Sequence, residues 1–226
     1  MQKLQVRYAK RGRARFTSHR DFSRAFERAL RRAGVPMAYS SGFNPHQRVS
    51  FANASPTGAA TEAEYLEIGL AQVVDPDAVR SALDAALPDG LHVLDVVVAP
   101  PGGIADRLTA SAWRIGVTGV SRDVLERAVA TLMAAEHAEA ERMTKTGLRT
   151  FDARAAIIAL EVSGDDELTL VSQHGAPLVR PDDVLQALGR LDDAFAPTDP
   201  PLLTRLAQGV WDGTRIVGPF EGHSAG

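Results

Sequence analysis

The segment between Ser18 and Ala33 constrains the fold more than any other, because its side chains separate into two opposite faces at helical spacing. Ser18 suits the N-cap, Asp21 follows it as in a capping box, and Gly34 suits the helix end. One face is narrow and apolar. Its members are Phe22, Phe26, Ala29, Leu30 and Ala33. Such a face is buried against a sheet, so the sequence predicts an α+β fold.

The opposite face of this helix is a row of arginines at spacings of four, four and three residues, called here the arginine stripe. Its members are Arg20, Arg24, Arg28 and Arg31. A basic loop precedes the helix and carries Lys10, Arg11, Arg13 and Arg15. A guanidinium donates two parallel hydrogen bonds to a phosphate and stays charged. We therefore expect the stripe and the loop to bind a polyanion, with RNA as the favoured candidate. We also expect one acidic residue between 62 and 75 to pair with a stripe arginine.

The charges of the chain are strongly segregated, although the formal net charge is only −3. Residues 1–50 contain twelve Lys or Arg against Asp21 and Glu27, a net charge of +10, which leaves −13 for the other 176 residues. Arginine outnumbers lysine 22 to 3, which codon bias alone could produce. Codon bias would enrich arginine along the whole chain, however, and so does not explain why the positive charge is concentrated in residues 1–50. The segregation indicates a local anionic partner. A solvated helix face is the alternative.

Residues 38–51 combine aromatic rings with amide and hydroxyl groups around a Gly/Pro turn. Stacking and hydrogen bonds to base edges are the means by which proteins bind single-stranded RNA. The residues that we assign to contacting bases or positioning the strand are Tyr39, Phe43, Asn44, His46 and Arg48. In the alternative interpretation the turn is purely structural, Phe43 and Phe51 belong to the core, and Asn44 caps the backbone.

The strands and helices of the first half follow the order β-α-β-β-α-β, which is the ferredoxin-like arrangement. The predicted elements are strands at 2–9, 35–40, 63–70 and 91–98, a short further strand at 47–51, and helices at 18–33 and 75–86. The second half repeats the order more loosely, with strands at 111–117, 140–144, 156–162 and 168–172 and helices at 122–135 and 181–188. We predict two ferredoxin-like domains in tandem, a basic one over 1–100 and an acidic one over 108–218.

The chain contains no cysteine, which excludes disulfides, cysteine nucleophiles, thiolate zinc sites and cysteine-held iron–sulfur clusters. No apolar stretch approaches the roughly 18 residues of a membrane span, and the N-terminus lacks the apolar core of a signal peptide. We expect a cytoplasmic protein. No spacing of metal ligands emerges, so we predict no metal and no cofactor.

Two histidines, His19 and His46, flank the basic region and are the candidates for general acid–base groups. With His19 or His46 as the acid–base group, the chain would be a metal-independent endoribonuclease on paired ferredoxin-like domains. Another alternative is a protein-interaction module whose basic patch meets an acidic partner surface. The oligomeric state and the identity of any RNA are not indicated by the sequence.

Four segments together resemble the radical-SAM-linked family, uncharacterised bacterial proteins classed as a domain of unknown function. They are 13–22, 24–36, 39–46 with its Gly-Phe-Asn-Pro-His end, and 61–67. Gln47 stands where many relatives have proline. The resemblance, strongest over residues 1–100, implies association with a radical-SAM enzyme or a ribonuclease and brings no catalytic residues with it.

A radical-SAM enzyme holds its cluster with three cysteine thiolates, and this chain has none. The resemblance therefore implies a partner of such an enzyme rather than the enzyme itself. Our hypothesis is an RNA-binding or substrate-presenting accessory protein without activity of its own, serving the modification or processing of tRNA or rRNA.

Overall fold

The structure is a computed structural model that describes residues 1–144 and 147–222. It confirms a mixed fold of helices and strands. The chain divides into two compact units, one formed by Met1–Leu108 together with the chain from Val217 onward, the other by Thr109–Ile216. In the described part of the chain, no helix has the length and apolar character needed to cross a membrane.

The first unit is built on an antiparallel sheet. Its elements are β1 (Gln2–Lys10), α1 (His19–Arg32), β2 (Val49–Ala52), β3 (Ala60–Leu70), α2 (Pro76–Ala86) and β4 (Leu91–Val98). Strand β1 lies between β3 and β4, and β2 pairs with β3. The prediction of a strand at 35–40 is wrong. This stretch forms only two isolated β-bridges, from Met37 to Leu70 and from Tyr39 to Gln47. Pro36 has no N–H to donate to a ladder, which limits pairing there.

The core of this unit lies between the helices and one face of the sheet. Helix α1 begins as predicted, because Ser18 accepts a hydrogen bond from Asp21 N at 3.2 Å. The apolar face of α1 is buried as predicted, except that Ala33 is half-buried. Phe26 is fully buried, and Phe22 stacks on Tyr8 with ring centroids 4.5 Å apart. The amphipathic pattern is thereby confirmed.

The second unit contains more strands than the pattern predicts. Its elements are β5 (Ala110–Gly116), α3 (Arg122–Ala134), β6 (Glu139–Thr144), β7 (Gly147–Asp152), β8 (Ile157–Val162), β9 (Glu167–Gln173), α4 (Pro181–Leu191), β10 (Leu202–Trp211) and, at the point in the sequence where the unit ends, β11 (Ile216–Val217). Four of its strands pair in the order β10-β5-β9-β8, and β6 with β7 forms a separate ribbon. The sequence pattern missed β7, β10 and the two-residue β11. Strand β10 buries Arg205 and Gln208, and these polar side chains interrupt the apolar alternation.

Candidate nucleic-acid interface

The outer face of α1 presents unneutralised positive charge. Arg20, Arg24, Arg28 and Arg31 are all exposed, and none forms a hydrogen bond or an ion pair with any residue in 1–144 or 147–222. The helix contains two acids. Asp21 is held by the Ser18 hydroxyl at 2.7 Å, and Glu27 is half-buried. Because no described acid forms an ion pair with these guanidinium groups, the stripe keeps a net positive charge on this face.

The basic loop does not present its charges in the same way. Residues Gly12–Phe16 form a short 3-10 helix. Lys10 ends β1 opposite Thr61 and is only 6% exposed. Arg15 donates from Nε to the carbonyl oxygen of Gly58, and its guanidinium lies 5.7 Å from the centre of the Phe16 ring. Only Arg13 of this segment is exposed and unpaired among the described residues.

Arg11 is neutralised by a bidentate ion pair with Glu62. Its Nε and Nη2 donate to the two carboxylate oxygens of Glu62, at 2.7 and 2.6 Å. Hydrogen bonding from Arg11 holds the pKa of Glu62 below its usual range. The expectation that an acid between 62 and 75 pairs with the stripe is therefore wrong, because the β1–β3 register carries Glu62 to the basic loop instead.

Residues 38–48 form a short hairpin, called here the aromatic hairpin. Ser40 N donates to the His46 carbonyl at 2.9 Å, and Arg48 N donates to the Ala38 carbonyl at 2.9 Å. Its tip, 41–45, is exposed throughout, including Asn44. Phe43 is completely exposed, and Tyr39 is half exposed. The interpretation of Phe43 as a core residue is therefore wrong.

Phe51, by contrast, does pack on the core. Its ring is 5.8 Å from that of Phe22 and 4.9 Å from that of His19, in edge-to-face geometry in both cases. His19 is exposed at the first residue of α1. A further exposed aromatic, Phe16, was missed by the sequence reasoning, although it directly follows Arg15 in the basic segment.

His46 is oriented by its own hairpin. The Ser40 hydroxyl lies 2.9 Å from His46 Nδ1 and accepts a hydrogen bond from His46 N at 3.1 Å. Within the part of the chain that is described, no residue bonds to His46 Nε2, which leaves that nitrogen available. The same residues contain no cluster of three or more side chains suited to holding a metal ion.

Residues 3–181 match a family described as an uncharacterized protein conserved in bacteria (DUF2344). The match includes the arginine stripe, the basic segment and the aromatic hairpin, and it ends at the first residue of α4. No curated protein matches the chain.

Proposed function

Since the chain belongs to the DUF2344 family of uncharacterised bacterial proteins, we propose from the geometry of its first unit that it is an accessory protein that binds single-stranded RNA. The observation that carries this proposal is the arginine stripe, whose four exposed guanidinium groups lack acidic partners among the described residues. Positions 20 to 31 of a helix span about 16 Å, which is long enough to follow several phosphates. The RNA backbone is the ligand that best complements such a row.

The aromatic hairpin supports the choice of single-stranded RNA. Phosphate contacts position a strand, whereas unstacked bases are bound by exposed aromatic rings. Phe43 and Tyr39 offer such rings beside the polar groups of Asn44 and His46. In a duplex the bases stack on one another and cannot cover Phe43. We therefore expect a preference for loops or unpaired ends.

We expect Phe43→Ala to weaken the binding of an unstructured RNA oligomer by roughly 5- to 150-fold, because one base–aromatic stack contributes about 1–3 kcal/mol. Fluorescence anisotropy at fixed salt measures the affinity, and thermal unfolding should be unchanged because the ring touches no core residue. Val73→Ala is the matched control, since it truncates another highly exposed apolar side chain. Equal affinities for parent, Phe43→Ala and Val73→Ala would contradict the stacking role.

An endoribonuclease is the second candidate, favoured by the hydrogen bond that orients the His46 imidazole and by its available Nε2. A general base has to hold its ring in a fixed position against the substrate. The accessory role predicts that RNA incubated with the protein and a chelator stays intact. Cleavage that persists in chelator, disappears in His46→Ala and survives in His19→Ala would replace the accessory role by catalysis.

The partner that we propose is a radical-SAM enzyme to which this protein presents RNA. Support comes from the family resemblance of residues 1–100 and from the lack of cysteine, which leaves the chain without thiolate ligands for a cluster of its own. Co-purification of the two proteins that is lost on nuclease treatment fits a shared RNA. Co-purification that resists nuclease fits direct docking on an acidic surface.

The antiparallel order β4-β1-β3-β2 supports a ferredoxin-like description of the first unit.

A further inference from the structure

The sheet face of the first unit that points away from α1 carries side chains from three adjacent segments. Alternation sends Leu4 and Val6 of β1 into the core, so Lys3 and Gln5 point to the other face. The residues that reach this face are Lys3 and Gln5 on β1, Glu67 and Gly69 on β3, Ser50 on β2, and His46 and Arg48 on the stretch that leads into β2. Cations from distant parts of the sequence are thereby brought onto one surface.

The strand register arranges two of these cations around a glycine. Lys3 lies opposite Gly69, and on the other side Gly69 N donates to the Arg48 carbonyl at 2.9 Å. Adjacent strands are about 4.8 Å apart, so the long side chains of Lys3 and Arg48 can reach one anion above Gly69. A Cβ atom on Gly69 would lie 3.2 Å from Arg48 Cβ, so the glycine provides the space for the arginine stem.

Both cations are available to a ligand. Lys3 and Arg48 are exposed and form no ion pair with the described residues. Arg48 is nevertheless held in place, because its Nε donates to the Tyr39 carbonyl at 3.2 Å and Nη1 lies 3.7 Å from Met1 Sδ. Its second terminal nitrogen, Nη2, remains to donate to an anion.

The next row of the same face provides a fixed acceptor. Gln5, which is fully buried, donates from Nε2 to Glu67 Oε1 at 2.8 Å. Gln5 is fixed in turn by Arg107, whose Nη2 donates to Gln5 Oε1 at 2.6 Å. The second carboxylate oxygen of Glu67 bonds to no described residue and can accept from a hydroxyl or an amino group.

The two cations and the Glu67 carboxylate line one pocket. Its volume is about 300 Å³, and its lining includes Lys3, His46, Arg48, Ser50 and Glu67. That volume is at the lower end of the roughly 300–1,000 Å³ range of small-molecule sites, so it suits one small unit rather than a length of strand. Two cations can bind a phosphate, and one carboxylate oxygen can accept a hydrogen bond from a hydroxyl or amino group. A nucleoside monophosphate carries both kinds of group.

We infer that this pocket binds a single nucleoside monophosphate group, with its phosphate between Lys3 and Arg48 and a hydroxyl or amino group on Glu67. The inference rests on the proposed RNA-binding function in one respect, namely that the group is the phosphorylated end of the bound strand. A free nucleoside monophosphate offers the same chemistry. His46 donates a further hydrogen bond to the phosphate from the hairpin side.

Isothermal titration of the full chain with adenosine monophosphate, and with adenosine, tests the pocket. We expect the monophosphate to bind and adenosine to fail, with Lys3→Gln and Arg48→Gln each lowering the affinity at least tenfold, as the loss of a charged hydrogen bond requires. Gly69→Ala should lower it similarly by displacing Arg48. Arg80→Gln on α2 is the matched control and should leave the affinity unchanged.

Oligomers with a 5′-phosphate, a 3′-phosphate or neither separate the two sources of the ligand. A terminal phosphate that tightens RNA binding in the parent and not in Arg48→Gln identifies the strand end, whereas indifference to it identifies the free nucleotide. If the chain binds the monophosphate but no RNA, the inference about the pocket stands and the proposed RNA-binding function is refuted. The inference would be overturned if the monophosphate did not bind, or if folded Lys3→Gln and Arg48→Gln bound it as tightly as the parent. Either result would count regardless of whether the chain binds RNA.

Discussion

Replacing Arg20, Arg24, Arg28 and Arg31 together by glutamine is expected to abolish most of the salt dependence of RNA binding. Each phosphate contact on a single strand contributes about −0.7 to the slope of log K against log salt. Four lost contacts should therefore make this negative slope shallower by about 2.8. At low salt we expect the affinity to fall by about two orders of magnitude. Anisotropy titrations between about 50 and about 200 mM salt measure both quantities.

The second unit offers a matched control for this variant, because it has four exposed arginines that are neutralised. They are Arg114 at 3.6 Å from Glu167, Arg122 at 2.8 Å from Glu126, Arg127 at 2.8 Å from Asp192 and Arg190 at 2.9 Å from Glu141. Replacing this quartet by glutamine removes the same formal charge. If both quartets lowered the slope equally, binding would follow net charge alone, and the stripe would not be the interface.

The position of the stripe could be predicted from sequence because every signal for α1 is local. The N-cap at Ser18, the acid at Asp21 and the apolar spacing from Phe22 onward all lie within one helix length. Gly34, which has a φ of 65°, takes the left-handed conformation that ends many helices. Local signals of this kind agree with one another and do not depend on tertiary contacts, so the helix and its exposed face followed from the sequence.

The charge state of the basic segment could not be predicted in the same way. Arg11 and Arg13 are equivalent in the sequence, yet Arg11 is paired with Glu62, 51 residues away, and Arg13 is not paired with a described residue. The difference depends on the β1–β3 register, which no local pattern specifies. The placement of Lys3 opposite Gly69 depends on the same register, and the placement of Arg48 beside Gly69 depends on the pairing at the other edge of β3. Both were missed because neither follows from a local pattern.

Strand β10 shows a further reason for failure. Arg205 is 3% exposed, and its guanidinium lies 4.5 Å from the centre of the Trp113 ring. Sequence patterns assign a charged residue to the surface, because burial of a charge costs free energy unless other groups compensate for it. Here the aromatic face that contacts the guanidinium comes from β5, so the pattern along β10 alone did not indicate a strand.

Phe26→Ala is expected to destabilise the first unit more than any change on the surface of α1. Phe26 is fully buried, and its ring lies 5.8 Å from that of Phe22, which stacks on Tyr8 of β1. Truncating a buried phenylalanine removes its apolar burial and leaves a cavity, at a cost of about 3–5 kcal/mol. Denaturant unfolding followed by circular dichroism should show the first unit unfolding at a lower concentration than in the parent.

Arg28→Ala on the opposite face of the same helix is the control, and the two variants should have opposite phenotypes. Arg28 is four residues from Arg24, and like charges at this spacing repel, so its removal should change the free energy of unfolding by no more than about 0.5 kcal/mol. Arg28→Ala should weaken RNA binding, whereas Phe26→Ala should bind normally at temperatures where the unit remains folded. A loss of stability in Arg28→Ala comparable to that in Phe26→Ala would mean that the stripe is part of the fold and not a surface kept for a ligand.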